Sequence, residues 1–131
     1  MRYLNFLFSF VLIAAISSCA SSDVTLIDPS KEYSPTKNVK LLFEEPTREY
    51  EVIAIIEGNG TQYNNESQVL KSVRKQAMKI GAHAIFPMST EKTYVPPTTH
   101  ANPVQGSPPI TIAGGNKITT KVAAIRFIDQ K

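Results

Sequence analysis

The sequence predicts an α+β domain in the order β-β-α-β-β, with one amphipathic helix packed on a small, mostly antiparallel sheet. Two observations carry this prediction. Between residues 68 and 80 the apolar residues recur at helical spacing, while the segments on either side alternate or run apolar as strands do. Glycine, asparagine and proline punctuate each change of period. A third observation bounds how such a domain is held: with Cys19 the sole cysteine, no intramolecular disulfide is possible, so the fold rests on its apolar core.

The chain opens with Arg2 and then Phe6 to Ile16, apolar except for Ser9. Eleven residues at about 1.5 Å rise fall well short of the ~30 Å hydrocarbon core, so this reads as the h-region of a signal peptide. Ile16-Ser17-Ser18-Cys19 follows it with the pattern of a bacterial lipobox: an aliphatic residue, two small residues, then cysteine. Small residues let an extended backbone fit a peptidase groove, and the thiol is the nucleophile that takes up diacylglycerol. The expectation is a leader over residues 1–18 and a mature chain starting at an acylated Cys19. Two or three palmitate-type chains anchor stably where one does not, at about 0.8 kcal/mol per buried methylene. The competing expectation is an ordinary secretory leader cleaved after Ala20, with Ser18 and Ala20 at the small-residue positions. Ala20-Ser21 lacks the aspartate that often retains lipoproteins in the inner membrane. In a two-membrane cell that favours the outer membrane, facing the periplasm.

Removal of 18 of the 131 residues leaves 113, a single-domain length. Arg2 leaves with the leader, so 13 basic residues face 11 acidic ones, about +2 and dispersed. Nucleic-acid binding, which needs a concentrated basic stripe, is excluded. Residues 19–38 are rich in Ser, Asp, Lys and Pro, and Pro29 and Pro35 disfavour a helix. They read as the lipidated cysteine and a flexible tether. The alternative is an edge strand at Val24 to Ile27.

The domain proper is expected over 39–131. Val39 to Phe43 alternates as a strand, and Tyr50 to Glu57 is apolar on both sides of the pleat, as a central strand is. Asn65 with Gln68 resembles a capping box. Val69, Val73, Ala77 and Ile80, joined by Leu70, form one stripe of the helix, and Gly81 stands where a left-handed C-cap is needed. Ala82 to Phe86 follows as a strand continuing past Pro87 to Val95. The last strand is Ile118 to Ile128, with Val122, Ala124, Arg126 and Ile128 on one side and Ala123, Ile125 and Phe127 on the other. Residues 96–116, with five prolines and a Gly-Gly pair, are expected to form a long disordered loop.

Candidate chemistry is sparse. His83 and His100 stand apart and show no metal-ligand spacing, so no metal or other cofactor is expected. His83 reads as a satisfied histidine at a strand end. The serines form no Gly-x-Ser-x-Gly, no nucleophile-base pair can be assembled, and no small-molecule substrate is predicted. Lys71, Arg74, Lys75 and Lys79 share one helix face, which is either an ordinary solvated surface or an interaction face toward an anionic partner.

A strand at Tyr50 to Glu57, a helix ending Lys79-Ile80-Gly81-Ala82-His83-Ala84-Ile85, and a strand through Val122-Ala123-Ala124-Ile125 resemble the small α+β domains grouped with YbjQ. They are also similar to the envelope-stress-sensing lipoproteins of the Rcs phosphorelay. His83 stands where those domains commonly carry aspartate. The disulfides of the Rcs sensors have no counterpart here, and the metal binding and oligomerisation described for YbjQ-like domains have no motif in this chain. The resemblance implies a non-enzymatic envelope module that binds, senses or assembles with another envelope protein. The alternative is a structural homo-oligomer on the membrane, self-associating through strand edges.

Overall fold

The computed structural model describes residues 20–128. The expected leader, the lipobox residues Ile16, Ser17 and Ser18, and Cys19 lie outside the described residues.

The fold is α+β, with one helix among the described residues. The elements are β1 (Ser21–Leu26), β2 (Lys40–Leu41), β3 (Tyr50–Asn59), α1 (Glu66–Lys79), β4 (Ala84–Val95), β5 (Thr98–His100), β6 (Ile110–Ile112) and β7 (Gly115–Phe127). The five-stranded sheet runs β1-β3-β7-β4-β2, and β5 pairs with β6 apart from it. All pairings are antiparallel except that of β2 with β4. The expected order β-β-α-β-β is thus corrected to β-β-β-α-β-β-β-β.

The helix is built from local signals. Asn65 Oδ1 accepts from the Gln68 N–H at 2.9 Å, and Gln68 Oε1 accepts from the Asn65 N–H at 3.0 Å, closing the capping box. At the other end Gly81 has φ +79°. Its N–H reaches the Met78 carbonyl and the Ala82 N–H reaches the Ala77 carbonyl, the two bonds of a Schellman motif. Val69, Val73 and Ala77 are fully buried. Gly58 in β3 lets them come close, because a Cβ there would stand 2.5 Å from Val73 Cγ2.

A register shift between Val52 and Ala54 explains why β3 is apolar on both sides. Past the bulge, Ile53, Ala54 and Ile56 join Val73, Ala77, Val122 and Ala124 in the core beneath the helix. Val52 and Ile55 turn to the opposite face, where they pack with Ala123, Ile125, Phe86 and Phe127. The two sides expected for the last strand are therefore the two sides observed.

Two expectations are corrected. Residues 20–38 are not a flexible tether. Ser21 to Leu26 pairs residue by residue with Asn59 to Ala54. Val24 packs against the core beneath the helix, and Ser22 Oγ lies 2.9 Å from Ser72 Oγ on α1. The outer edge of β3 supplies the unpaired backbone groups that a polar strand needs as a template. The following segment then wraps the helix C-terminus. The Thr36 N–H reaches the Met78 carbonyl at 2.9 Å, and Thr36 Oγ1 donates to the Ala82 carbonyl at 2.7 Å. These bonds satisfy carbonyls that a helix end leaves open.

Nor are residues 96–116 structureless. β4 and β7 stay paired out to Val95 opposite Gly115, and β5 and β6 pair from Thr98 opposite Ile112 to His100 opposite Ile110. From Ser89 outward each pair in these two ladders keeps the same register, so they form one hairpin, interrupted where Pro96 and Pro97 have no N–H to donate.

Candidate functional site

The four cations expected to share one helix face are all exposed, yet the fold does not use them as one cluster. Arg74 is committed to structure: its Nε donates to the Val39 carbonyl at 2.7 Å, tying the helix to the chain entering β2. Lys71 and Arg74 border an open groove of about 640 Å³ whose apolar lining is Leu41, Leu70 and Ile85, with Glu66 at its far end. Lys79 lies on the other flank, lining a smaller hollow with Leu26, Tyr33 and Ile80. Lys71, Lys75 and Lys79 follow one another at single helical turns, with Lys71 on the groove and Lys79 on the hollow.

The groove lies beside a sheet edge that is mostly open. β2 covers β4 only at Ala84 and Ile85, with the Leu42 N–H adding one bond to the Ile85 carbonyl. Among the described residues, no strand pairs with the outer edge of β4 from Phe86 to Val95. An unpaired edge next to an apolar, partly basic groove is the geometry that accepts an extended peptide as an added strand.

On the opposite flank a polar cluster locks the residues expected to be a tether. The Tyr33 hydroxyl donates to Glu51 Oε1, and Lys31 lies 3.5 Å from Glu51 Oε2. The guanidinium of Arg126 covers the Tyr33 ring at 4.5 Å and donates to the Gly81 carbonyl. The hydroxyl of Tyr33, followed by Lys31, holds the Glu51 carboxyl below its ordinary value, against the opposing effect of burial. The bond to Glu51 raises the Tyr33 phenol in turn. This cluster is a fastening between the 31–36 segment, the sheet and the helix end, with every charge directed to a partner.

His83 is satisfied, as its sequence position suggested. Its Nδ1 accepts from the Phe127 N–H at 3.1 Å, and its ring stacks on that of Phe127 at 6.2 Å between centroids. Burial pushes its pKa down, and the positive charges of Arg126 and Arg48 push it further. Both effects favour the neutral ring, and an Nδ1 that accepts leaves the ring proton to Nε2. His100 lies far away in β5 and is exposed. Among the described residues, no three of His, Cys, Asp and Glu gather in a metal-binding group.

Sequence reasoning missed two features: the open edge of β4 and the bracing of the hairpin. Gln62 Nε2 donates to the Ala113 carbonyl at 2.8 Å, tying the β3–α1 turn to the hairpin's base. The even spacing of Tyr94, Ile110 and Ile112 was the available signal, obscured by the intervening prolines. No protein-family model, curated protein or solved structure matches this chain.

Proposed function

We propose that this chain is a lipid-anchored protein of the bacterial cell envelope, without catalytic activity, whose domain binds another envelope protein. The observation that carries the proposal is the sequence Ile16-Ser17-Ser18-Cys19 standing two residues before Ser21, the first residue of β1. Acyl chains on Cys19 would hold the folded body directly at the bilayer surface, with no flexible spacer between. In a two-membrane cell that surface is the periplasmic face of the outer membrane.

The groove between α1 and the open edge of β4 is the partner site this reading favours. Its backbone groups offer hydrogen bonds, Leu41, Leu70 and Ile85 offer an apolar floor, and Lys71 favours a partner strand carrying acidic residues. The resemblance to YbjQ-like and Rcs-sensor domains, carried by the sequence from Lys79 through Gly81 to Ile85, favours a binding or sensing role. Globomycin, which blocks the lipoprotein signal peptidase, should cause the full-length precursor to accumulate. Cys19→Ala should abolish the membrane-bound mature form. A mature, membrane-bound Cys19→Ala protein would reject the reading.

A second reading is a homo-oligomer formed through the same edge of β4, which two copies can share by antiparallel pairing. Light scattering of the mature protein in detergent separates the two, since a monomer rejects the oligomer.

A further inference from the structure

The hairpin that continues β4 and β7 has three properties that belong together. First, residues 93–116 contain no Asp, Glu, Lys or Arg, and this run is bounded by Lys92 and Lys117. Second, it is sided. Strand alternation puts Tyr94, Ile110 and Ile112 on one face, 65%, 52% and 43% exposed, with Thr98 and His100 opposite the two isoleucines. The other face carries Thr93, Thr99 and Thr111, with the hydroxyls of Thr99 and Thr111 3.2 Å apart. Third, it projects from the end of the sheet at which the chain begins. Ser21 lies opposite Asn59, Asn59 opposite Thr119, and Thr119 opposite Glu91, forming one row across four strands. Past that row the hairpin runs outward from Thr119 to Ile110, in the direction in which β1 would continue backward.

Cys19 stands two residues before Ser21, and two residues span at most about 7 Å. Acyl chains on Cys19 would therefore hold the Ser21 end of that row close to the bilayer, and this is the end of the sheet from which the hairpin extends. We propose that the hairpin is a second membrane contact, its Tyr94–Ile110–Ile112 face lying in the boundary between headgroups and acyl chains. The proposal rests on the anchored reading above. Chemistry favours lipid as the occupant. A segment whose one basic side chain is His100 enters the interface without desolvating an Asp, Glu, Lys or Arg. Pro96 and Pro97 interrupt the ladder with residues that have no N–H to leave unsatisfied. Tyrosine suits the headgroup level, and Lys117 at the base can reach lipid phosphates, while Lys92 beside it pairs with Glu66 at 4.0 Å.

The test uses a natural advantage: the chain contains no tryptophan. Ile112→Trp places one on the apolar face. Phe43→Trp places one just past β2, on the edge of the sheet opposite β1, where Phe43 is already 86% exposed. The full chain of each is expressed, and the mature protein is reconstituted into phosphatidylethanolamine–phosphatidylglycerol vesicles with and without brominated acyl chains. Intact mass and flotation report the anchor, and bromine quenching reports the hairpin. The expected result is at least two-fold quenching and a blue shift for Ile112→Trp, with Phe43→Trp unaffected. Acylated, floating protein with unquenched Ile112→Trp would overturn the proposal and leave the anchor standing, as for a hairpin that docks on protein instead. If the mass shows no acyl chains, the same proteins are mixed with excess vesicles. Quenching of Ile112→Trp alone then upholds the hairpin contact without the anchor, and its absence overturns both.

Discussion

Arg74 donates through Nε to the carbonyl of Val39 at 2.7 Å, bridging the middle of the helix to the chain entering the edge strand β2. A side chain that sequence alone assigns to a solvated basic face is therefore a structural strut. Hydrogen bonds from a charged donor contribute roughly 1.5–3 kcal/mol. Arg74→Ala should lower unfolding free energy by about that amount, and Arg74→Lys should recover only part of it, because an ammonium lacks the guanidinium's fixed fork. Lys75→Ala, on the same face, should stay within about 0.5 kcal/mol. Urea denaturation of the three variants checks the contrast, and equal effects for Arg74→Ala and Lys75→Ala would remove the strut.

The segment 20–36 offers a prediction of its own. Val24 is half-buried against the core beneath α1, so Val24→Asp sets an unpaired, partly desolvated carboxylate beside apolar neighbours. The expected loss is on the order of 2–4 kcal/mol. A flexible tether would tolerate the same change without loss. Limited proteolysis gives a second readout: residues 21–36 should resist cleavage for as long as the sheet does.

Gly81 has φ +79°, and a Cβ there would stand 2.6 Å from the Ser34 carbonyl oxygen and 2.7 Å from Tyr33 Cβ. Gly81→Ala incurs both the left-handed backbone cost, about 1–2 kcal/mol, and displacement of the wrapping segment. Thermal unfolding should drop by several degrees. Amide exchange should quicken at Thr36, whose N–H bonds the Met78 carbonyl beside this turn.

His83 sets a pH dependence. Its folded pKa is depressed by burial, then by Arg126 and Arg48, so the unfolded chain binds a proton more readily than the folded one. The stabilisation is fully present above the unfolded value, near 6.5, and is lost as pH falls from there toward the lower folded pKa. Glu51, with a depressed carboxyl, adds a separate loss in more acid solution, below the ordinary glutamate range. Melting temperature should thus be level above pH 7 and decline below about 6.5. His83→Asp keeps an acceptor for the Phe127 N–H and places a negative charge near the two arginines. It should erase the decline between pH 7 and 5 while holding stability at pH 7. An unchanged slope would show that another group titrates. His100→Gln, on the exposed hairpin, should leave the slope as it is.

How far the sequence could be read depended on where each element's information lies. The helix announces itself locally: the Asn65–Gln68 capping box, the Val69–Val73–Ala77 stripe and Gly81 are all within one stretch. Strand β3 and the two sides of β7 were likewise legible, because apolar runs near a helix have few other places to go. Strand β1 was not. Ser21, Ser22, Asp23 and Thr25 have no reason to form a strand except the free edge of β3, some thirty residues away in sequence. The hairpin was hidden by Pro96 and Pro97, which read as breakers although the register carries through them unchanged. Of the proposed basic face, residue types and spacing were legible. What each side chain does was not, since Arg74 is claimed by a carbonyl of a different element.

The measurement that bears most directly on the whole account is the intact mass of the mature protein purified from membranes. The account predicts a polypeptide beginning at Cys19 and heavier than its sequence by a diacylglyceryl group, with or without a third acyl chain. A mature chain beginning at Ser21, or at Cys19 with an unmodified thiol, would contradict it.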